Sequence, residues 1–188
     1  MALLNNFFLF LLGLFAIFSL IFLIFLCFNI ISLLFGAPYV KSKKKAIGEM
    51  LKIAQIKEDD VIFDLGSGDG TLLIKAVKEY RFKKAYGIEI NPVLVIWSKI
   101  KIRLAGVQEK IKIRQGNFLR EDFKKATLIF TYLLPNIQTK LERKFQKELA
   151  PGTRIIANTF PFPGLILKKK TPYSSLGEKK IYIREYII

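Results

Sequence analysis

The sequence predicts an α/β fold: a doubly wound, mostly parallel sheet preceded by one transmembrane helix. Three observations carry this. Strand-like and helix-like apolar patterns alternate from Ala46 to the end of the chain. A short apolar strand, Val61–Leu65, runs into the glycine-rich turn Gly66-Ser67-Gly68-Asp69-Gly70, and a helix pattern follows. The first forty residues hold no Asp, Glu, Lys or Arg, so the whole net charge of +16 sits on the remainder. Alternating strands and helices imply a parallel sheet covered on both faces. The charge-free stretch implies a second physical regime in the same chain.

From Phe7 to Phe35 the sequence is almost continuously apolar. A membrane-spanning helix needs about 20 such residues, so this run is long enough to span with tilt. A cleaved signal peptide is the competing reading. It wants a basic start and an apolar core of about 7–15 residues. Here the start is Asn5-Asn6 and the core is longer, which favours an anchor. Lys41, Lys43, Lys44 and Lys45 follow directly and, by the positive-inside rule, hold the rest of the chain on the cytoplasmic side. The expected organisation is an anchor over residues 1–36, a basic linker and lid segment over 37–45, and a catalytic domain over 46–188. The expected location is a single-pass membrane protein whose domain faces the cytoplasm.

Composition excludes several chemistries. Cys27 is the single cysteine and lies inside the span, and the 188-residue chain has no histidine. Disulfide frameworks, Cys-rich zinc sites, serine–histidine triads and His-ligated metals are therefore ruled out within one chain. No metal is expected.

Along the domain, Ala46–Ala54 reads as a helix leading into the first strand, Val61–Leu65. Thr71–Tyr80 places Leu72, Leu73, Ala76, Val77 and Tyr80 on one side of a helix. Lys84–Ile90 is a second strand. Pro92 suits the first turn of the next helix, and Gly106 ends it after about Ala105. Lys110–Arg114 alternates as a strand nearer the sheet edge would, whereas Thr127–Leu133 reads as a buried strand. Asn136–Leu149 is a helix with Ile137, Leu141, Phe145 and Leu149 on its apolar face. Thr153–Phe160 is a further strand. A short Leu165–Leu167 run, a basic Lys168–Lys170 patch and a last strand at Lys180–Ile187 follow.

In such sheets ligands sit at the carboxyl ends of the strands, near the switch point. Gly66–Gly70, Glu89, Asn117 and Tyr132–Asn136 all fall just after strands. The glycines are spaced G-x-G-x-G and let a ligand approach the backbone, and the following helix points its positive end at the turn. The same triplet also suits a tight turn with no ligand. Asp64 at the strand's end repels phosphate and can receive an ammonium group, so an amino-acid head group suits the loop better than a pyrophosphate. Glu89 is placed to accept from two ribose hydroxyls, or is an exposed strand-end carboxylate. The Asn117 amide and Phe118 ring suit an adenine, or equally an ordinary turn and a core aromatic.

These residues carry a resemblance. Asp64-Leu65-Gly66-Ser67-Gly68-Asp69-Gly70 with Gly87-Ile88-Glu89-Ile90-Asn91-Pro92 resembles the cofactor site of class I S-adenosylmethionine-dependent methyltransferases, whose fold is Rossmann-like. Pro38-Tyr39-Val40 after a span, Trp97-Ser98 in the next helix and Phe160-Pro161-Phe162-Pro163 near the end are similar to membrane-anchored lysine methyltransferases. That group includes the enzymes that modify the ATP synthase c-subunit and the adenine nucleotide translocase. The resemblance implies S-adenosyl-L-methionine as cofactor. Gly66, Gly68 and Asp69, with Ser67 and Gly70, would line its methionine end. Glu89 would hold the ribose, Asn117 and Phe118 would bound the adenine, Asn91 would also bind the cofactor, and Tyr39 would lie in a lid. Two departures stand out: Asn117 replaces a commoner Asp, and an early chain end implies a shortened C-terminal end of the sheet.

Methyl transfer to an amine needs the amine neutral, held in line and kept from water. Tyr132 is the candidate for orienting it, with packing as its alternative role; Pro135, Asn136 and Phe160 border the acceptor's entry. Thr131-Tyr132-Leu133-Leu134-Pro135-Asn136 is not the Asn-Pro-Pro-aromatic signature of many DNA and glutamine methyltransferases. The expected partners are a protein lysine acceptor, membrane-embedded or not, and the membrane itself. A lipid, quinone or other small-molecule acceptor is the first rival. A non-catalytic cofactor-binding or RNA-associated module is the second. The basic surface suits nucleic acid, but its lysines are scattered over the helices and suit an anionic membrane equally.

Overall fold

The structure, a computed structural model, describes residues 2–34, 42–176 and 179–188. The chain divides into two units, Met1–Tyr39 and Val40–Ile188.

The first unit holds helix α1 (Ala2–Leu34). Its stretch Asn5–Cys27, 23 residues of mean hydropathy 3.0, has no buried residue. At about 1.5 Å per residue it measures about 35 Å, longer than the hydrocarbon core of a bilayer. No polar stripe interrupts it, so no face asks for water. By length and composition it can cross a membrane.

The second unit begins with α2 (Lys44–Ala54). Strands β1 (Val61–Leu65), β2 (Lys84–Glu89), β3 (Ile111–Gln115), β4 (Leu128–Thr131) and β5 (Arg154–Asn158) alternate with α3 (Thr71–Glu79), α4 (Pro92–Leu104) and α5 (Pro135–Glu148). Two longer strands, β6 (Ile166–Leu176) and β7 (Lys179–Ile187), complete one seven-stranded sheet in the order β3-β2-β1-β4-β5-β7-β6. The first five pair in parallel, and β7 runs antiparallel to both neighbours. β1 has β2 on one side and β4 on the other, so the direction of winding reverses beside β1.

Strand periodicity divides the core in two. Ile62 faces α2, α3 and α4 with Met50, Leu73, Ala76 and Ile102, whereas Phe63 faces α5 with Ile129, Leu141 and Phe145. On the α5 side a run of rings crosses the sheet. Phe63–Phe123, Phe123–Phe145, Phe145–Phe162 and Phe162–Tyr186 have centroids 5.5, 5.8, 5.7 and 5.6 Å apart. Such edge-on and tilted pairs add to simple burial. At the opposite end from the glycine turn, Arg154 bonds both oxygens of Asp60, at 2.7 and 2.5 Å, and the carbonyls of Ala54 and Gln55. This buried cation closes the end of α2 onto β1 and β5.

The structure amends the sequence reading in three places. Lys44 and Lys45 lie in α2, not in a linker, because Lys43 is the extended N-cap and its carbonyl accepts from Ile47 N–H at 3.1 Å. Ile166, Leu167 and the basic patch belong to one eleven-residue edge strand, β6, with Leu165 just before it. Its lysines and Pro172 are what an exposed sheet edge tolerates. The last strands are therefore not reduced; what is short is the β5–β6 connection, residues 159–165, which has no helix. Phe162 plugs the core there, its N–H donating to the Tyr186 hydroxyl at 3.1 Å.

Candidate functional site

The glycine turn ends β1 at the point where the sheet's winding reverses. Gly66, Gly68 and Gly70 have φ of +75, +54 and +72°, a region side chains disfavour. Gly66 and Ser67 both donate to the Ile88 carbonyl, at 2.9 and 3.1 Å, which ties the turn to β2. Glu89, buried at the end of β2, completes the tie. Its Oε2 accepts from Gly68 N–H and its Oε1 from Asn91 N–H, each at 2.9 Å. Each oxygen keeps a further lone pair for a ligand hydroxyl.

Gly87 is glycine for space. A Cβ there would lie 2.6 Å from Ser67 Oγ and 2.5 Å from Ile113 Cδ1. Ser67 Oγ is buried and, among the described residues, has no hydrogen-bond partner. Asp64 sits beneath the turn, in register with Gly87 and Phe130. Among the described residues no hydrogen bond or ion pair reaches it. Burial first, then the Glu89 and Asp69 carboxylates, push its carboxyl up to about 7. Asp69 behaves oppositely. Burial raises it, but Thr71 and Lys101 outweigh that and hold it below the usual value. Lys101 Nζ donates to Asp69 Oδ2 at 2.9 Å and Thr71 Oγ1 at 2.7 Å.

Two predicted amides serve as helix caps. Asn91 Oδ1 accepts from Val93 and Leu94 N–H at 3.0 and 3.4 Å and so starts α4. Asn117 Oδ1 accepts from Leu119 N–H at 3.0 Å, capping the single 3₁₀ turn Phe118–Arg120. The exposed Asn117 keeps its NH₂ for a ligand, beside half-buried Phe118. Register puts Glu89 beside Gln115 and Leu65 beside Thr131, so the turn, Glu89, Asn117 and the residues after β4 share one rim. Tyr39 lies outside the described residues.

On the other half of the rim, Tyr132 is half-buried, Pro135 and Asn136 are exposed at the start of α5, and Phe160 is half-buried. Sequence reasoning missed the network behind them. Tyr173 is the extra residue of a bulge between Pro172 and Ser174, and its hydroxyl donates to Asn158 Oδ1 at 3.0 Å. Thr159 Oγ1 donates to the same oxygen at 3.0 Å, and Thr159 has φ +65°. Burial raises the Tyr173 hydroxyl, and Tyr132 adds to that against the Thr159 and Asn158 hydrogen bonds. Gln138, with its amide nitrogen turned to the carbonyls, donates to Phe160 O at 3.0 Å and Pro161 O at 2.8 Å. One local signal was available: Asn158-Thr159 just after β5 stands at the same rim as the other strand-end polar residues.

The arrangement pairs an anionic half, Asp64 with Glu89, with a neutral aromatic and amide half. It suits a ligand carrying a cationic head and vicinal hydroxyls on one side, and an uncharged polar group on the other.

Known proteins resemble this chain in sequence and in fold. The sequence model of the ANTKMT methyltransferase domain matches residues 64–169. A protein-lysine N-methyltransferase of Saccharolobus islandicus is 39% identical over 127 residues, 68% of this chain and 79% of the relative. The ATP synthase c-subunit lysine N-methyltransferase of Mus musculus is 31% identical over 141 residues, 75% of this chain; the match spans only 54% of that relative's length. Among solved structures, an RNA methyltransferase from Salinibacter ruber in complex with S-adenosyl-L-homocysteine aligns with TM-score 0.72 and 31% identity. That alignment covers 79% of this chain and 94% of the other.

Proposed function

Because the chain belongs to the ANTKMT methyltransferase domain family, and is an S-adenosylmethionine-dependent methyltransferase, we propose that it methylates a protein lysine while α1 holds it in a membrane. The observation that carries the acceptor is the similarity to a protein-lysine N-methyltransferase over 79% of that relative's length. The anchor rests on the charge-free 23-residue stretch of α1. The lysines that follow favour a domain on the cytoplasmic side.

The rim fits the cofactor by its own chemistry. Ser67 Oγ is an orphaned buried hydroxyl, and Asp64 is a buried carboxyl with no cation beside it among the described residues, so both gain from a polar, cationic ligand. In this reading Asp64 faces the ammonium end and Gly66–Gly70 line the methionine. Glu89 accepts from the ribose hydroxyls, while Asn117 and Phe118 bound the adenine. Asn91 contributes through its backbone N–H, which fixes Glu89.

The bound cofactor supplies a methyl group already activated on a sulfonium, so the protein's task is alignment and exclusion of water. A lysine amine has a solution pKa of about 10.4 and attacks only when neutral. The acceptor half, with Tyr132, Tyr173 and Asn158 and no carboxylate among them, gives an ammonium no counter-charge and favours the neutral amine. Tyr132 orients it; Pro135, Asn136 and Phe160 border its entry.

The full chain with methyl-labelled cofactor and native membranes tests this. Label recovered as methyl-lysine in a protein band is expected; label only in the organic extract sinks the protein acceptor. A second reading, RNA as acceptor, is favoured by the likeness to an RNA methyltransferase and the net charge of +16. Label in RNA would select it.

A further inference from the structure

Helix α4 buries one side and leaves the other without a partner among the described residues. Leu94, Val95, Ser98 and Ile102 are buried against the sheet. Val93, Ile96, Trp97, Ile100 and Leu104 are exposed by 52, 60, 51, 43 and 82%. At 3.6 residues per turn these five fall within an arc of about 100°, opposite the buried side. A contiguous apolar stripe of this kind marks an interaction surface.

Its surroundings point to one kind of partner. α4 contains Lys99, Lys101 and Arg103 and no acidic residue. The exposed Lys99 and Arg103 flank the stripe on one edge; Lys101, on the other, has its amine engaged by Asp69 and Thr71. An apolar face with tryptophan, bordered by Lys and Arg, is the pattern of a helix lying in the bilayer interface. The chain's net charge of +16 adds attraction to an anionic surface.

We propose that this face of α4 seats on an anionic lipid bilayer, with Trp97 in the headgroup layer and Ile96, Ile100 and Leu104 in the acyl boundary. The proposal rests on the reading that α1 anchors the chain. It adds a second contact and a consequence for the site. α4 starts at Asn91, whose N–H holds Glu89, and its Lys101 holds Asp69. Seating this helix fixes the attitude of the cofactor rim to the membrane, and so favours acceptors whose lysine lies close to the bilayer surface.

Trp97 is the chain's single tryptophan, so its emission reads this face alone. The full chain is reconstituted into vesicles of equal parts phosphatidylcholine and phosphatidylglycerol, with plain or brominated acyl chains. Brominated lipid is expected to quench Trp97 emission relative to plain lipid, because a ring seated in the interface lies within reach of the acyl bromines. Ile96→Asp combined with Ile100→Asp is expected to restore emission while cofactor binding persists. Flotation reads the anchor separately. A chain that floats with its vesicles but shows no bromolipid quenching overturns the docking face and leaves the anchor standing. A Trp97 shielded from acrylamide without bromolipid quenching is covered by protein, such as a second copy, and also overturns it. Equal quenching in phosphatidylcholine alone overturns the role of anionic lipid. A chain that does not float overturns both readings, since a seated face would itself carry it.

Discussion

Glu89 holds the glycine turn shut: its Oε2 accepts the Gly68 N–H at 2.9 Å across 21 residues of sequence. The same carboxylate fixes Asn91 N–H at 2.9 Å. One side chain therefore joins the end of β2, the turn after β1 and the start of α4. Hydrogen bonds to a charged group contribute about 1.5–3 kcal/mol each, and leaving buried N–H groups unpaired adds a penalty. Glu89→Ala is expected to lower the melting temperature of the domain as well as weaken cofactor binding by tenfold or more. Thermal unfolding and calorimetric titration of the same preparation check this. Unchanged stability would mean the clamp is not structural, and unchanged affinity would remove the ribose role.

The raised Asp64 carboxyl predicts a pH-sensitive site. This carboxyl is raised from 3.8 to about 7 by burial and by Glu89 and Asp69. Between those values the folded chain holds a proton that the unfolded chain has lost, so stability of the free protein falls as pH rises through this window. A cation beside Asp64 needs it ionised. With the cofactor's ammonium beside Asp64, as proposed, binding below about pH 7 releases a proton, and affinity should climb with pH, approaching about tenfold per unit, then flatten above 7. Asp64→Asn should abolish the slope. Titrations in buffers of different ionisation enthalpy measure the proton directly; a flat affinity without proton release would place the cation elsewhere.

What was legible in the sequence was what is local. β1, the glycine triplet and the carboxylate ending β2 follow from short periodicities and from a turn that needs positive φ. β3 reads as an edge strand because Lys112 and Arg114 alternate with Ile111 and Ile113, and it does end the sheet. β6 was not legible, since three lysines and Pro172 look unlike a strand until β7 is beside them. Asn91 and Asn117 show a second limit. An amide after a strand suits a ligand or a cap, and spacing alone does not separate the two. Lys101 shows a third, because its partner Asp69 is 32 residues away.

Gly87 is a steric prediction. Its backbone is ordinary strand, yet an added Cβ would meet Ser67 Oγ, Ser67 Cβ and Ile113 Cδ1 at 2.6, 2.8 and 2.5 Å. Overpacking of this kind costs about 1–3 kcal/mol. Relief by moving Ser67 displaces the glycine turn. Gly87→Ala should therefore lose cofactor affinity more than it loses stability. If binding stays intact, the turn has more slack than these distances allow.

The Arg154–Asp60 pair should matter to stability alone. Burial raises Asp60, but the hydrogen bonds from Arg154, Lys57 N–H and Thr127, with the Arg154 charge, hold it below the usual value. Removing one partner of such a pair costs about 3–5 kcal/mol, because the other charge is left buried. Arg154→Met should depress the melting temperature strongly, while cofactor affinity of the folded fraction is kept, since the pair lies at the amino ends of β1 and β5. Lost affinity at temperatures where the domain is still folded would show a coupling to the rim that this position does not predict.

Tyr173 offers a test of the proposed acceptor half of the rim that leaves the proposed cofactor half untouched. Its hydroxyl bonds Asn158, and Thr159 bonds the same oxygen from a backbone held at φ +65°. A non-glycine residue in that region stores strain that surrounding contacts must hold. Tyr173→Phe keeps the ring and removes one of the two donors to Asn158, so the fold should lose only about 1 kcal/mol. Asp64, Glu89 and the glycine turn are untouched, so cofactor affinity should not change. If this network shapes the acceptor's entry, kcat falls or the acceptor KM rises by about tenfold for a misplacement that costs about 1.4 kcal/mol in the transition state. Single-turnover methylation with pre-bound cofactor reads that step directly. A Tyr173→Phe chain with wild-type single-turnover rate and acceptor KM would return the network to a purely structural role, and Tyr132→Phe would then be the remaining test of the acceptor side.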